Sequence, residues 1–324
     1  MTHHKIRKNA APASPRKPSD FLFPAEKQSW AERLRRALLS VSRQFKGEPG
    51  VHQANHDMVR RALVGMGPDS NSTDKESGAR MVVNMSSVNV PVFCDDRYKN
   101  TYDLKASQPP GARRVSERRE RVDLALPMAP GVAPENIYFG AVELNGAGMH
   151  YYGDVCLVLK PEALDDSTVV LDRNSFDVDR PPALDRIRAL PEGSRHQARA
   201  WLLSSWAGRW GADLAAMATL RLHAAGAAGT RRWTTGQIAR TLIDDEDYLE
   251  VLKVGSFNVG DVQEARLFSA DAMLEAHIGS RIGDASPPSF EALQWRRRRI
   301  RAEAALRAAG ITVRVVTQLG RDRG

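Results

Sequence analysis

The sequence predicts an α+β fold built on a split, mainly antiparallel sheet, with helices on the outside and a helical N-terminal region. Three observations lead there. Short strand-like runs crowd residues 79–178 and return at 248–268. The helical stretch Ser194–Leu242 stands as one block between those groups, whereas a parallel sheet would interleave a helix after each strand. Ile243–Phe268 reads strand, loop, strand. In it Tyr248, Leu249, Val251, Leu252 and Val254 favour a strand, Gly255-Ser256 breaks the run, and Val262–Phe268 resumes it.

Residues 1–23 are rich in Pro, Lys and Ser, which predicts a disordered basic leader with few apolar anchors to the core. Residues 24–78 form a helical region. Trp30, Leu34, Leu38, Val41 and Phe45 fall on one helix face, and Met58, Leu63 and Met66 suggest a second, short helix. The polar stretch Asp69–Gly78 marks the boundary of a core at 79–285. Within that core Met81–Met85 reads as a strand, with Val88–Phe93 continuing it past Pro91. Cys94–Leu104 reads as a polar, aromatic-bearing loop and Lys105–Arg121 as a mobile charged stretch. Ile137–Leu144 and Tyr151–Leu159 read as strands about the turn Asn145-Gly146, followed by short strands at Thr168–Leu171 and Phe176–Val178. Trp201, Trp206, Trp210, Leu214 and Met217 form a helical packing stripe, and Thr234 caps a further helix. Residues 286–324 give a basic helix around Phe290–Ala309, solvated along Arg296–Arg299, and a short strand, Ile311–Val316.

The chain has 324 residues, 42% hydrophobic, and a net charge of +8. The charge is uneven. Residues 1–61 carry thirteen Lys/Arg against five Asp/Glu and residues 289–324 nine against three, so the middle is net −6. Nucleic acid is therefore a poor partner for the core. No run of eighteen apolar residues is present, so no membrane span is expected. Two cysteines, Cys94 and Cys156, are too few for a disulfide framework or a zinc site, and the eight histidines show no ligand spacing, so no metal is expected. GAVELNGAG lacks the dinucleotide fingerprint and is followed by a strand, which rules out a Rossmann site.

One carboxylate, Glu250, sits inside a strand among apolar neighbours, where burial is costly unless it meets a partner or a wet cleft. The ordered pieces RMVVN from Arg80, RYKNTYD from Arg97, IYFGAVEL from Ile137, YYGDVCLVLKP from Tyr151 and YLEVLKVGSFNVGDV from Tyr248 resemble bacterial ADP-ribosyltransferase toxins and effectors. The resemblance covers Arg80–Phe268. It implies an ADP-ribosyltransferase-like catalytic domain that uses NAD as substrate, without metal, to modify a protein acceptor. Members of this broad group include effectors that attach ADP-ribose to a host threonine, with ubiquitin as the acceptor. Such a protein is made in the bacterial cytoplasm and exported into a host by a specialised secretion system. In this reading Glu250 opposes the charge that develops on the ribose. Arg80 grips phosphate or ribose. Tyr102, Tyr138 and Tyr152 offer an aromatic wall, and Asn84 and Asn145 bond the amide or ribose. Tyr248 stands where arginine-specific members carry Gln or Glu, which disfavours an arginine acceptor. Ser86-Ser87, Ser167-Thr168 or Ser175 can take the place of a missing Ser-Thr-Ser segment, and His150 offers an alternative NAD contact.

Two other classes compete. TTGQIARTL from Thr234 resembles the first helix of a helix-turn-helix regulator, but Asp244–Asp247 follows where a recognition helix should. A non-enzymatic interaction protein would use the basic ends. Slow NAD hydrolysis without a partner separates the transferase from both.

Overall fold

The computed structural model describes residues 29–44, 49–64, 78–107, 115–224, 233–234, 237–238, 242–243 and 248–317. The leader 1–23, Pro109–Gly111, Asp244–Asp247 and most of Thr234–Leu242 lie outside the described residues, and so does nearly all of the expected boundary at 69–78.

In chain order the elements are α1 (Trp30–Gln44), α2 (Pro49–Val64), β1 (Arg80–Met85), α3 (Val90–Asp95), α4 (Thr101–Ala106), α5 (Glu117–Asp123), β2 (Ile137–Glu143), β3 (Val155–Leu159) and β4 (Val169–Leu171). They continue with α6 (Ala183–Arg188), α7 (Glu192–Trp206), β5 (Ala207–Arg209), α8 (Trp210–Leu222), β6 (Glu250–Val254), β7 (Val262–Phe268), α9 (Ser269–Ser280), α10 (Phe290–Ala308) and β8 (Thr312–Val316).

The strands make one eight-stranded sheet in the order β5-β4-β6-β2-β1-β3-β7-β8. Every pairing is antiparallel except β7 with β8. The expected pair of sheets is therefore a single sheet, but its middle seam is short. β1 and β2 are in register only at Arg80–Val82 against Ala141–Glu143. Past those pairs β1 runs with β3 and β2 with β6. At the diverging end Tyr98 stacks on Phe257 at 4.7 Å, with Phe93 and Tyr138 against the pair.

Because facing residues of an antiparallel ladder point to one side, the registers sort the side chains. Met81, Val83, Val142, Leu157, Val251 and Ala265 face one core. It also takes Trp30 and Leu34 of α1, Val59 of α2, Met217 of α8 and Leu306 of α10. The N-terminal helices and the C-terminal helix and strand thus share the core of residues 79–285. On the opposite face, one cluster joins Leu171 and Leu252 to Val122, Val178, Ile187 and Leu203. Another joins Val82, Ala141 and Val158 to Met149, Ile243 and Tyr248. The row Leu171, Glu250, Ala141, Val82, Val158, Glu264 crosses this face.

Several local expectations change. Val90–Asp95 is a helix: Pro91 falls in its first turn, where a missing N–H costs nothing. Residues 101–106 are helical because Asn100 and Asp103 close a capping box. Glu117–Asp123, part of the stretch expected to be mobile, is a helix whose Ser116 hydroxyl accepts the Arg119 N–H. Ser175–Asp179 is a 3-10 turn where a strand was expected, and His150–Tyr152 is another. The long helix from Ser194 is broken by β5 after Trp206, which is buried, whereas Trp201 earlier in the same helix is exposed.

Arg296–Arg299 is not a uniformly solvated run. Arg297 and Arg298 are exposed, whereas Arg299 is buried among Asp154, Asp271 and Glu275. Among the described residues no helix is long and apolar enough to cross a membrane.

Candidate functional site

Glu250 opens β6 near the middle of the sheet, between Leu171 of β4 and Ala141 of β2, and is 3% exposed. One partner is fixed by the 3-10 turn after β4. The Ser175 N–H donates to Glu250 Oε2 at 2.7 Å, with the buried Ser175 hydroxyl beside it. Burial pushes the carboxyl up to about 7; Ser175 and the Arg119 guanidinium pull it down, and Asp123 pushes it up. A carboxyl balanced near neutrality exchanges its proton at little cost, which suits a group that meets a developing charge.

Two networks flank it. On one side α5 delivers Arg119 and Asp123, which share a 2.6 Å ion pair. The Arg119 guanidinium lies 3.9 Å over the Phe139 ring of β2 and 5.1 Å from Phe176. The Tyr102 hydroxyl donates to the same Asp123 oxygen at 3.0 Å. The other Asp123 oxygen is buried without a partner among the described residues. Burial raises the pKa of Asp123, while Arg119 and Tyr102 hold it down. On the other side Tyr248 reaches the Asn174 amide at 3.0 Å and the Tyr152 hydroxyl at 3.3 Å. Burial first, and the nearby Glu250 second, raise the Tyr248 pKa. Tyr152 is half exposed and packs edge-on against Tyr248, with Tyr151 beyond it almost wholly in solvent. The arrangement therefore offers a carboxylate, a guanidinium and tyrosines that lead from the interior to the surface.

Of the residues chosen from the sequence, Glu250, Tyr102 and Tyr152 come together. Four others do not. Arg80 lies on the same face, but two strands from Glu250, and its guanidinium donates to Gln263 and to the Ala79 carbonyl. Asn84 is a buried clamp. It donates to the Ala147 and Gly153 carbonyls at 2.9 and 3.0 Å and accepts the Met149 N–H at 2.7 Å, pinning the loop between β2 and β3. Asn145 sits in that loop beside Glu143, in keeping with a turn residue. Tyr138 points to the opposite face from Glu250 and gives its hydroxyl to Asp103, which also pairs with Arg97. His150 pairs with Asp271 at 2.7 Å, and that carboxylate raises its pKa.

Glu264 of β7 is buried, with Arg266 at 2.7 Å and Arg314 at 3.3 Å. Glu143 is a second fully enclosed carboxylate, accepting the Leu144 N–H at 2.8 Å. Burial raises its pKa too. Unlike Glu250, it sits under the 144–149 loop instead of beside an exposed tyrosine. Ser175 is the one candidate serine beside Glu250.

The sequence does not single out Arg119, Asp123 or Asn174, and it marks Tyr248 only as the position that bears on acceptor choice. The signal for the first two was present in SERRERVD, a cap followed by i, i+4 opposite charges. A strand face, in contrast, depends on register with β2 and β4.

The clamp gives a first prediction. Asn84→Ala leaves two carbonyls and one N–H without their side-chain partner, so it is expected to destabilise by about 1–3 kcal/mol. Urea unfolding measures this, and any NAD binding should persist in the folded fraction. Loss of NAD binding at unchanged stability would return Asn84 to the site.

Among the described residues no group of His, Cys, Asp and Glu is arranged to hold a metal ion. No family model matches the chain, and no curated protein or solved structure matches it.

Proposed function

We propose that this protein is a NAD-consuming mono-ADP-ribosyltransferase of the toxin and effector type, with an ADP-ribosyltransferase-like fold and Glu250 as its carboxylate. The observation that carries the reading is the place of Glu250. It heads an inner antiparallel strand, is titratable near pH 7, and is flanked by Arg119 on one side and the Tyr248–Tyr152 pair on the other.

Cleaving the nicotinamide–ribose bond moves positive charge onto the sugar. Ionised Glu250 opposes that charge, and the Ser175 N–H fixes the orientation of one oxygen. Arg119, already seated on Phe139, takes the phosphate role expected of Arg80. Tyr152 and Tyr151 provide the aromatic surface for a planar ring. Since Glu250 is 3% exposed, substrate reaches it by displacing the Arg119–Asp123 cover or the Tyr152 ring. Without the Gln or Glu that arginine-specific members carry two residues before the catalytic carboxylate, the acceptor is a hydroxyl side chain on a protein, with a ubiquitin threonine the first to try.

The test is incubation of the protein with labelled NAD, alone and with a cell extract. Slow nicotinamide release and a labelled acceptor band are expected. If NAD neither binds nor turns over, the protein is a non-enzymatic interaction protein. Arg119→Ala is expected to weaken NAD binding and turnover together, about tenfold or more, because a phosphate contact exists before the transition state. Arg80→Ala is expected to leave both within about twofold. Calorimetric titration and a hydrolysis assay distinguish the two variants, and the opposite ranking would restore Arg80 to the site.

A further inference from the structure

A pocket of about 360 Å³ opens between the 3-10 turn Ser175–Asp179, the start of α6 and the end of α7. Three arginines line it, Arg173, Arg180 and Arg186, with a single acid, Asp177. The remaining wall is apolar, from Pro181, Pro182, Leu202 and Trp206.

The arginines are not equivalent. Arg173 grips both oxygens of Asp172, at 2.9 and 3.3 Å, and stacks 4.8 Å over the Trp206 ring, so it is a fixed, flat, charge-compensated platform. Arg180 meets Asp177 by one contact at 3.3 Å, long for a charge-assisted bond. Arg186 is exposed, and among the described residues its guanidinium makes no ion pair. Bringing three cations to one cavity while neutralising only one of them tightly leaves an unmet demand for an anion. The volume is that of a small-molecule site with an apolar wall and a few convergent polar groups.

The pocket is also distinct from the Glu250 site, because the two share a segment but not its faces. Asn174 and Ser175 turn toward Tyr248 and Glu250, whereas Arg173 and Asp177 line the pocket.

We infer that this pocket binds a phosphate monoester whose sugar also bears a planar ring, a nucleoside monophosphate in class, at a site separate from Glu250. Arg180 and Arg186 take the dianionic phosphate. The ring lies on the Arg173–Trp206 platform and the apolar wall.

The experiment is calorimetric titration of the full chain with AMP, adenosine and inorganic phosphate. AMP is expected to bind, phosphate to bind more weakly, and adenosine not at all. Arg186→Glu is expected to weaken AMP at least about tenfold, and Arg180→Glu to weaken it as well. Both side chains are largely exposed, so thermal melts of the two variants should match wild type. Glu250→Gln and saturating NAD should leave AMP affinity within about twofold. The inference is overturned if AMP fails to bind at millimolar concentration, if adenosine binds as well as AMP, if Arg186→Glu has no effect, or if NAD displaces AMP. None of these readouts requires NAD turnover, so failure of the transferase reading leaves them interpretable.

Discussion

Glu250→Gln is expected to lower NAD turnover on the order of a hundred-fold or more, with NAD affinity little changed. Glutamine keeps the shape and can still accept the Ser175 N–H, so the variant removes charge and little else. The charge matters mainly once the ribose becomes cationic, which puts the loss in kcat. The same residue predicts two pH dependences. Turnover by the wild type should rise as pH passes through about 7, where the carboxyl ionises. Stability should move the other way. The folded carboxyl holds its proton up to about 7, and the unfolded one loses it near 4.5, so between those values the folded state binds more protons. Stability contributed at this residue is therefore highest below about pH 4.5, falls as pH rises toward 7 and is flat above. A glutamine side chain has no proton to lose, so Glu250→Gln should be more stable than wild type at pH 8, on the order of 1–3 kcal/mol. Less activity with more stability is the signature of a charge kept for chemistry. A purely structural Glu250 predicts lower stability on replacement, and near-normal turnover in the variant would remove it from the mechanism. Denaturant titrations at pH 5 and 8, beside a hydrolysis assay, read both.

The largest loss of stability is expected at Arg299. Its Nη1 donates to Asp154 Oδ2 at 3.0 Å and lies 3.5 Å from Asp271, while Nε donates to Glu275 at 3.2 Å. Asp154 in turn accepts the Ser87 N–H at 2.7 Å. One guanidinium thus ties α10 to α9, to the start of β3 and to the turn after β1. Arg299→Ala leaves three half-buried or buried carboxylates without their shared cation, and removing one member of such a cluster costs about 3–5 kcal/mol. Arg299→Lys should recover only part of this, because an ammonium cannot span the three acids as a planar fork does. Arg297→Ala, on the exposed face of the same helix, should stay within about 0.5 kcal/mol. Urea unfolding of the three variants checks the ranking. Equal effects at 297 and 299 would mean that the cluster contributes nothing beyond surface charge.

The strands and helices with strong local signals were readable from the chain alone. β1, β2, β7, α1 and α10 fall close to where the sequence places them, because those signals come from a few neighbouring residues. Local chemistry also explains two of the misread segments. The Asn100–Asp103 capping box and the Ser116 cap were in the sequence, but runs of polar and charged residues around them resemble loops. Glu250 was legible as an anomaly, an acid within an apolar strand.

What tertiary structure decided was which side chains share a face and what stands over them. Arg80 and Asn84 lie on the Glu250 face, yet the first turns to Gln263 and the second to the 147–153 backbone. Those partners are 60 or more residues away in sequence, and the registers of β1 with β2 and β3 and of β3 with β7 bring them together. Arg119 and Asp123 reach Glu250 across a gap in sequence that no periodicity spans. Arg299 separates from its three neighbouring arginines only when α9 and β3 bring their acids to one side of α10. Sequence determined the local elements and the odd charge, because backbone propensity and capping act over a few residues. The fold chose the partners of each charge, because burial is a property of the packed chain.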